Sequence, residues 1–177
     1  MSDLQIAGYG YVMFTSRAKI PATLAAYLPR AARSTAIELA DSRALAITPG
    51  ALLIASAEGT EEMPWTDFRS AHWNGDSRLL TISPVVTERG DLVFETLNDN
   101  VFTFTTAVRE RIEASIVHDR TREFGDDGMV QILIRRGRDG QLFSQTIVAG
   151  SPEVVTANRE VIDELERSAR EAAGLPG

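Results

Sequence analysis

The sequence predicts a mainly β, α+β protein: a small bent antiparallel barrel of seven strands capped by a helix, with a short helix before it and a hairpin plus long helix after it. Three observations carry that expectation. Between Ser34 and Phe104, seven short apolar runs alternate with turn-forming residues, the texture of an antiparallel meander. An amphipathic stretch follows the last run at once, and a helix in that position can plug the open end of a small barrel. Beyond it come one more pair of strand-like runs and one long helical pattern.

Taken in order, Leu4 to Thr15 includes Gly8-Tyr9-Gly10-Tyr11 and has no clear period, so it reads as an added strand or an arm against the core. From Lys19 to Arg33, Ile20, Leu24, Tyr27, Leu28 and Ala31 recur at three and four residues. Pro21 stands where a helix can begin and Pro29 limits it. The seven runs are Thr35 to Ala40, Ala44 to Thr48, Ala51 to Ser56, Glu62 to Trp73, Arg78 to Ser83, Leu92 to Leu97 and Val101 to Phe104. Their separators, such as Asp41-Ser42, Pro49-Gly50 and Asn74-Gly75-Asp76, are residues that tolerate positive φ or pre-set a turn. Thr105 or Thr106 can then cap a helix whose Val108, Ile112 and Ile116 form one stripe.

After the turn Gly125-Asp126-Asp127-Gly128, Met129 to Arg135 and Gln141 to Val148 read as a hairpin closed by Gly137-Arg138-Asp139-Gly140. A long helix follows, with Ser151 as cap, Pro152 at its first position, and Val154, Val161, Leu165, Ala169 and Ala172 on one face. Asp163 with Arg167, and Glu166 with Arg170, are spaced as ion pairs on the other. The domain organisation is therefore an arm and short helix over 1–33, the barrel with its capping helix over 34–119, and a hairpin-plus-helix lobe over 120–177.

Composition narrows the function classes. At 177 residues, with 44% hydrophobic and 24% charged side chains, the chain has the balance of a folded soluble domain. It has no cysteine and only His72 and His118 as imidazoles, so metal and redox chemistry are disfavoured and no cofactor is expected. A net charge of -7 repels nucleic-acid backbones and anionic membranes at long range. Lys19 is the single lysine among the 18 basic residues, a bias that arginine-rich codon usage explains without chemistry. The start Met1-Ser2-Asp3 carries no basic region, and the uncharged run Ala44 to Ala57 is too short for a membrane helix and contains Pro49-Gly50. A cytoplasmic protein without stable membrane insertion is the expectation.

Pro64-Trp65-Thr66-Asp67-Phe68, then Ala71-His72-Trp73, Arg78-Leu79-Leu80-Thr81-Ile82, and Val108-Arg109-Glu110-Arg111-Ile112-Glu113-Ala114-Ser115-Ile116-Val117 occur in this order. In them the chain resembles a group of uncharacterised actinobacterial proteins with a pleckstrin-homology-like (PH-like) domain, over roughly Ser34 to the C-terminus. The resemblance implies a PH-like barrel. It brings no activity or catalytic residue with it, and PH-like barrels in general serve as docking modules, so it implies binding rather than catalysis. Inositol-lipid binding is disfavoured, because the first hairpin turn, Asp41-Ser42-Arg43, is short and lacks a basic cluster.

The densest basic group is Arg135-Arg136-Gly137-Arg138, with Arg109, Arg111, Arg120 and Arg122 on and after the helix. Several guanidinium forks can converge on one anion. The plainer alternative is a solvated hairpin paired with Asp126, Asp127 and Asp139. Trp65, Phe68 and Phe94 are expected to fill the interior, whereas Trp73, beside a polar turn, is a candidate partner contact. His72 near Asp67 and Ser70, and His118 beside Asp119, lie in no nucleophile elbow, and no catalytic residue is assigned. Glu58, Glu61 and Glu62 match no calcium-loop spacing, and Gly8-Tyr9-Gly10 is no dinucleotide fingerprint.

The expected function is a non-catalytic protein-binding or scaffold module that docks a partner segment at a barrel edge or cap-helix groove, with the C-terminal helix as the rival closing that edge in cis. The speculative contacts are Arg135, Arg136, Arg138, Arg109, Arg111 and Trp73. The alternative is a sensor of a small phosphate or carboxylate ligand held by the arginine cluster. The partner is expected to be another protein rather than a nucleic acid, and a homodimer is left open.

Overall fold

The computed structural model describes residues 20–151 and 153–176, so the strand or arm expected over Leu4 to Thr15, and the helix-starting Pro152, lie outside the described residues. The fold is mainly β, with three antiparallel sheets and a few helices. β1 (Ile37–Glu38), β2 (Ala44–Ile47), β3 (Ala51–Ser56) and β4 (Gly59–Pro64) form a meander in that order. β5 (Phe68–Asn74), β6 (Leu79–Pro84) and β7 (Leu92–Glu95) form the second sheet. β8 (Ile116–Glu123), β9 (Gly128–Arg136) and β10 (Leu142–Gly150) form the third, with β9 central.

β2 and β3 are buried on both faces, which is why they read as continuous apolar runs rather than alternations. The pairings Ile37↔Leu45, Leu45↔Ile54 and Leu52↔Met63 line up the large side chains on the inner face. There they join Phe68, Leu80, Ile82 and Phe94 of the second sheet. Burying a side chain such as Leu45 or Leu52 contributes about 1.5–3 kcal/mol. The outer face is small, with Ala44, Ala46, Leu53 and Ala55, and the segment from Ile20 to Ala36 lies on it through Leu24, Leu28 and Ala32.

That segment is less helical than predicted. Helix α1 spans only Ala22–Ala25, and a 3-10 turn spans Ala32–Thr35 beyond Pro29. The predicted face also rotates at its end: Tyr27 is 45% exposed, and Ala32 rather than Ala31 is buried.

Two runs differ from their predicted form. Glu62 to Trp73 is not one strand, since a 3-10 turn at Trp65–Asp67 separates β4 from β5. Val101 to Phe104 is not a strand either, because α2 starts at Phe102 and runs to Ser115. Val101, Phe104, Val108 and Ile112 fall at helical spacing, and all four enter the core shared by the first two sheets. No side chain caps this start; the Thr105 hydroxyl donates back to the Phe102 carbonyl instead. The number of strands stays at seven because one run splits and another becomes helix.

Those seven strands form two sheets around one core rather than a closed barrel. An isolated bridge, Leu39↔Thr96, joins β1 to the end of β7, supported by the Ala40 amide on the Glu95 carbonyl (2.9 Å) and the Leu97 amide on the Glu38 carbonyl (3.1 Å). Among the described residues no ladder joins β4 to β5, which remain the outer strands of their sheets.

The predicted hairpin is β9–β10, but β8 makes it a three-stranded sheet and begins directly after α2. Val117 to Glu123 escaped prediction because it is mostly exposed and shows no apolar alternation. At the far end of the hairpin Gly128 and Gly150 face each other at φ 124° and 122°. A Cβ on Gly128 would stand 2.2 Å from the Ala149 carbonyl oxygen, so this crossing requires glycine.

The long C-terminal helix is interrupted at Asn158, giving α3 (Glu153–Ala157) and α4 (Arg159–Ala172). Ser151 does accept the Glu153 amide, as its predicted capping role requires. The helices cover Val130, Ile132 and Ile134 with Val154, Ile162, Leu165 and Ala169. Ile162 takes the place predicted for Val161, which is 44% exposed, and Ala173 rather than Ala172 reaches the sheet. Arg167 pairs with Glu164 rather than Asp163, and Glu166 accepts from the Ser144 hydroxyl rather than meeting Arg170.

Candidate functional site

The strand period of two separates the arginines that lie together in the sequence. Arg135 points inward and is fully buried, while Arg136 is exposed. The Arg135 guanidinium donates to Gln145 Oε1 at 2.9 Å, to Ser115 Oγ at 2.5 Å and to the Phe68 carbonyl at 2.6 Å. Burial pulls its pKa down to about 10, against the opposing charge of Asp67, so it stays protonated at neutral pH. Among the described residues the Arg136 side chain donates only to the Gly140 carbonyl, at 3.4 Å. Arg138 crosses to β4 and pairs with Glu62 at 2.5 Å, its stem lying over Gly50.

The other predicted contacts lie elsewhere. Arg109 pairs with Glu113 along the exposed face of α2 at 3.6 Å. Arg111 is exposed, and among the described residues it makes no ion pair. Trp73 is partly buried against the shared core, and Trp65 is inside it with its indole N–H on the Thr48 carbonyl. His72 is exposed on β5, and Nε2 of His118 is buried without a hydrogen-bond partner among the described residues. The six predicted contacts therefore do not meet as one solvent-facing cluster.

Arg135 and Gln145 instead fasten the third sheet to the corner between β4 and β5. Gln145 Nε2 donates to the Thr66 carbonyl at 3.0 Å, beside the Arg135 bond to Phe68. Backbone acceptors at this corner are thus satisfied by the β9–β10 hairpin, the role for which the C-terminal helix was the rival to a docked partner. The helix packs on the other face of that sheet.

A cleft runs from one end of the first sheet to the gap between β4 and β7. Its larger hollow, 820 Å³, lies between the β1–β2 turn (Asp41, Ser42, Arg43) and the β3–β4 turn (Ser56 to Gly59). An adjoining hollow of 460 Å³ reaches from edge strand β4 to the start of β7, and the two share Arg43, Ile54 and Glu61. The turns stay tight because Ser42, Gly59 and Gly90 adopt positive φ. Ile54, Met63 and Phe94 make the floor, and these are core residues, so the cleft opens onto the interior of the two-sheet unit. No residue of α2 lines it.

Arg43 organises this mouth. Its guanidinium bonds Asp41 at 2.7 Å and lies over the Phe94 ring, 5.3 Å from the centroid. The Arg43 hydrogen bond holds the Asp41 carboxyl below the usual carboxylate range, against a smaller opposing effect of burial. The rim adds Glu58, Glu61, Arg89 and Asp91. A concave mouth with an apolar floor and a few polar groups on its rim has the chemistry of a binding site. The sequence marks Asp41-Ser42-Arg43 as a short turn, and Glu58, Glu61 and Glu62 as an acidic turn that matches no calcium-loop spacing. It did not join them to Arg89, Asp91 and Phe94, which only the strand order brings near. Among the described residues, no three carboxylate or imidazole groups converge as metal ligands would, and no helix is long and apolar enough to cross a membrane. No protein-family model and no curated protein matches the chain.

Proposed function

We propose that the chain is a non-catalytic protein-binding or scaffold module, in which the first seven strands and α2 make a PH-like body and a partner segment docks along edge strand β4 over the cleft. The observation that carries this reading is the cleft itself, which is bordered by an edge strand and floored by the core residues Ile54, Met63 and Phe94. An edge strand offers main-chain pairing for affinity, and a side pocket offers specificity. The corner between β4 and β5 is the less available part of that edge, because Arg135 and Gln145 already bond its carbonyls. The anion-sensor reading draws no comparable support, since Arg135 is internal and Arg138 is held by Glu62.

The test is site-directed photo-crosslinking of the full chain in extract from its own cells, with the photoreactive residue at Glu61 or at Glu160. Both positions are exposed, one at the cleft and one on α4. The expected result is a partner adduct from Glu61 that is absent from Glu160. No adduct, or equal adducts from both, would contradict the proposal.

A further inference from the structure

Taking the cleft as the docking place, the charges around it identify its occupant. Asp41 and Arg43 neutralise each other across 2.7 Å. Among the described residues Glu58, Glu61, Asp91 and Arg89 enter no ion pair, leaving three carboxylates against one guanidinium at the rim. Glu58, Glu61 and Asp91 are all exposed, so they meet an incoming group with their charge uncompensated. Arg43 shows what this surface accepts, a guanidinium seated between a carboxylate and the Phe94 ring.

We propose that the cleft takes an extended segment of a partner protein in which an apolar side chain is flanked, two residues away on either side, by arginine or lysine. In an extended segment residues two apart point to the same side, as Glu61 and Met63 do on β4 opposite Ile54 and Leu52. The apolar one descends towards Ile54, Met63 and Phe94 while the cationic ones reach Glu58, Glu61 and Asp91 at the rim. An acidic or phosphorylated segment would bring anions against three unpaired carboxylates, and like-charge juxtaposition at an interface is costly. The net charge of -7 over the whole chain adds long-range attraction for a basic partner.

The experiment is selection from a displayed library of random peptides on the full chain. Enriched peptides are then measured against wild type and a Glu61→Lys/Asp91→Lys variant, whose folding is safeguarded by the exposure of both sites. The expected peptides carry arginine or lysine around an apolar residue, weaken with added salt, and lose about tenfold in affinity for the variant. Acidic or neutral peptides that shift the amide resonances of Glu61 and Phe94 would overturn the cationic occupant and leave docking at the cleft standing. Peptides that bind wild type and variant equally, or no enrichment at all, would overturn both.

Discussion

The arginine-bearing hairpin and the acidic mouth are opposites in how their residues are brought together. Arg135, Arg136 and Arg138 are neighbours in sequence and part in space, into the interior, into solvent and across to Glu62. Arg43, Ile54, Glu61, Asp91 and Phe94 are scattered along the sequence and meet around one cleft. Strand geometry explains both outcomes: alternation disperses consecutive residues, and antiparallel order gathers the turns at one end of a sheet. A dense motif on a strand is therefore weak grounds for a site, whereas turns that share a sheet end deserve comparison.

Removing Arg135 is the strongest way to break that contrast. Arg135→Ala leaves the Phe68 carbonyl, Ser115 and Gln145 without their donor and opens a cavity between the third sheet and the β4–β5 corner. The expected loss is about 3–5 kcal/mol in denaturant unfolding. Arg135→Lys should recover little of it, because one ammonium cannot reproduce a planar fork bonded at three points. If Arg135→Ala unfolded at the wild-type midpoint, the buried role of this residue would be wrong.

Gly128→Ala should cost less, about 2–3 kcal/mol, because the substitution meets both a left-handed backbone and the Ala149 carbonyl. The transition in thermal unfolding should move accordingly, and Gly59→Ala, where a Cβ meets open space, should be milder. Arg138→Ala removes an ion pair whose side chains are 73% and 46% exposed, so its effect should stay below about 1 kcal/mol. A loss approaching that of Arg135→Ala would mean that the turn, not the buried guanidinium, fastens the hairpin.

The smallest effect belongs to the mouth. The folded Asp41 carboxyl titrates below the unfolded value of 3.8, so its contribution is fully present above that value and is lost as pH falls through the folded pKa. With both partners part-exposed, it should amount to a few tenths of a kcal/mol. Subtracting the stability profile of Asp41→Asn from that of wild type should give a difference that is flat near neutrality and closes in acid. A difference growing towards acid would reverse the sign of the assignment.

Much of the fold was legible because its elements follow simple periods. β3 occupies Ala51–Ser56 as predicted, and the hairpin, its glycine turn and the amphipathic character of the last helix all follow from alternation and spacing. What was not legible has local physical causes. Pro64-Trp65 looks like strand because Trp65 is large and apolar, yet the chain turns there to bury the indole. Val101 and Phe104 fit both a strand and the first turn of α2, and only the continuation to Val108 and Ile112 decides between them. β8 carries its charges to solvent and shows no pattern at all. At the candidate site the rim residues were read as isolated turns, since nothing in sequence ties Asp41 or Glu58 to Asp91. Arg135 stands in the register of Gln131 and Leu133, opposite the apolar alternation of Val130, Ile132 and Ile134, so nothing in the sequence marks it as a buried, hydrogen-bonded arginine.

The most direct measurement sets mouth against hairpin: retention of partner protein by the tagged full chain, compared between Glu61→Lys and Arg136→Glu, two exposed single charge reversals. Docking at the cleft predicts that Glu61→Lys loses the partner while Arg136→Glu keeps it. The reverse pattern would contradict the assignment and return the function to the arginine hairpin.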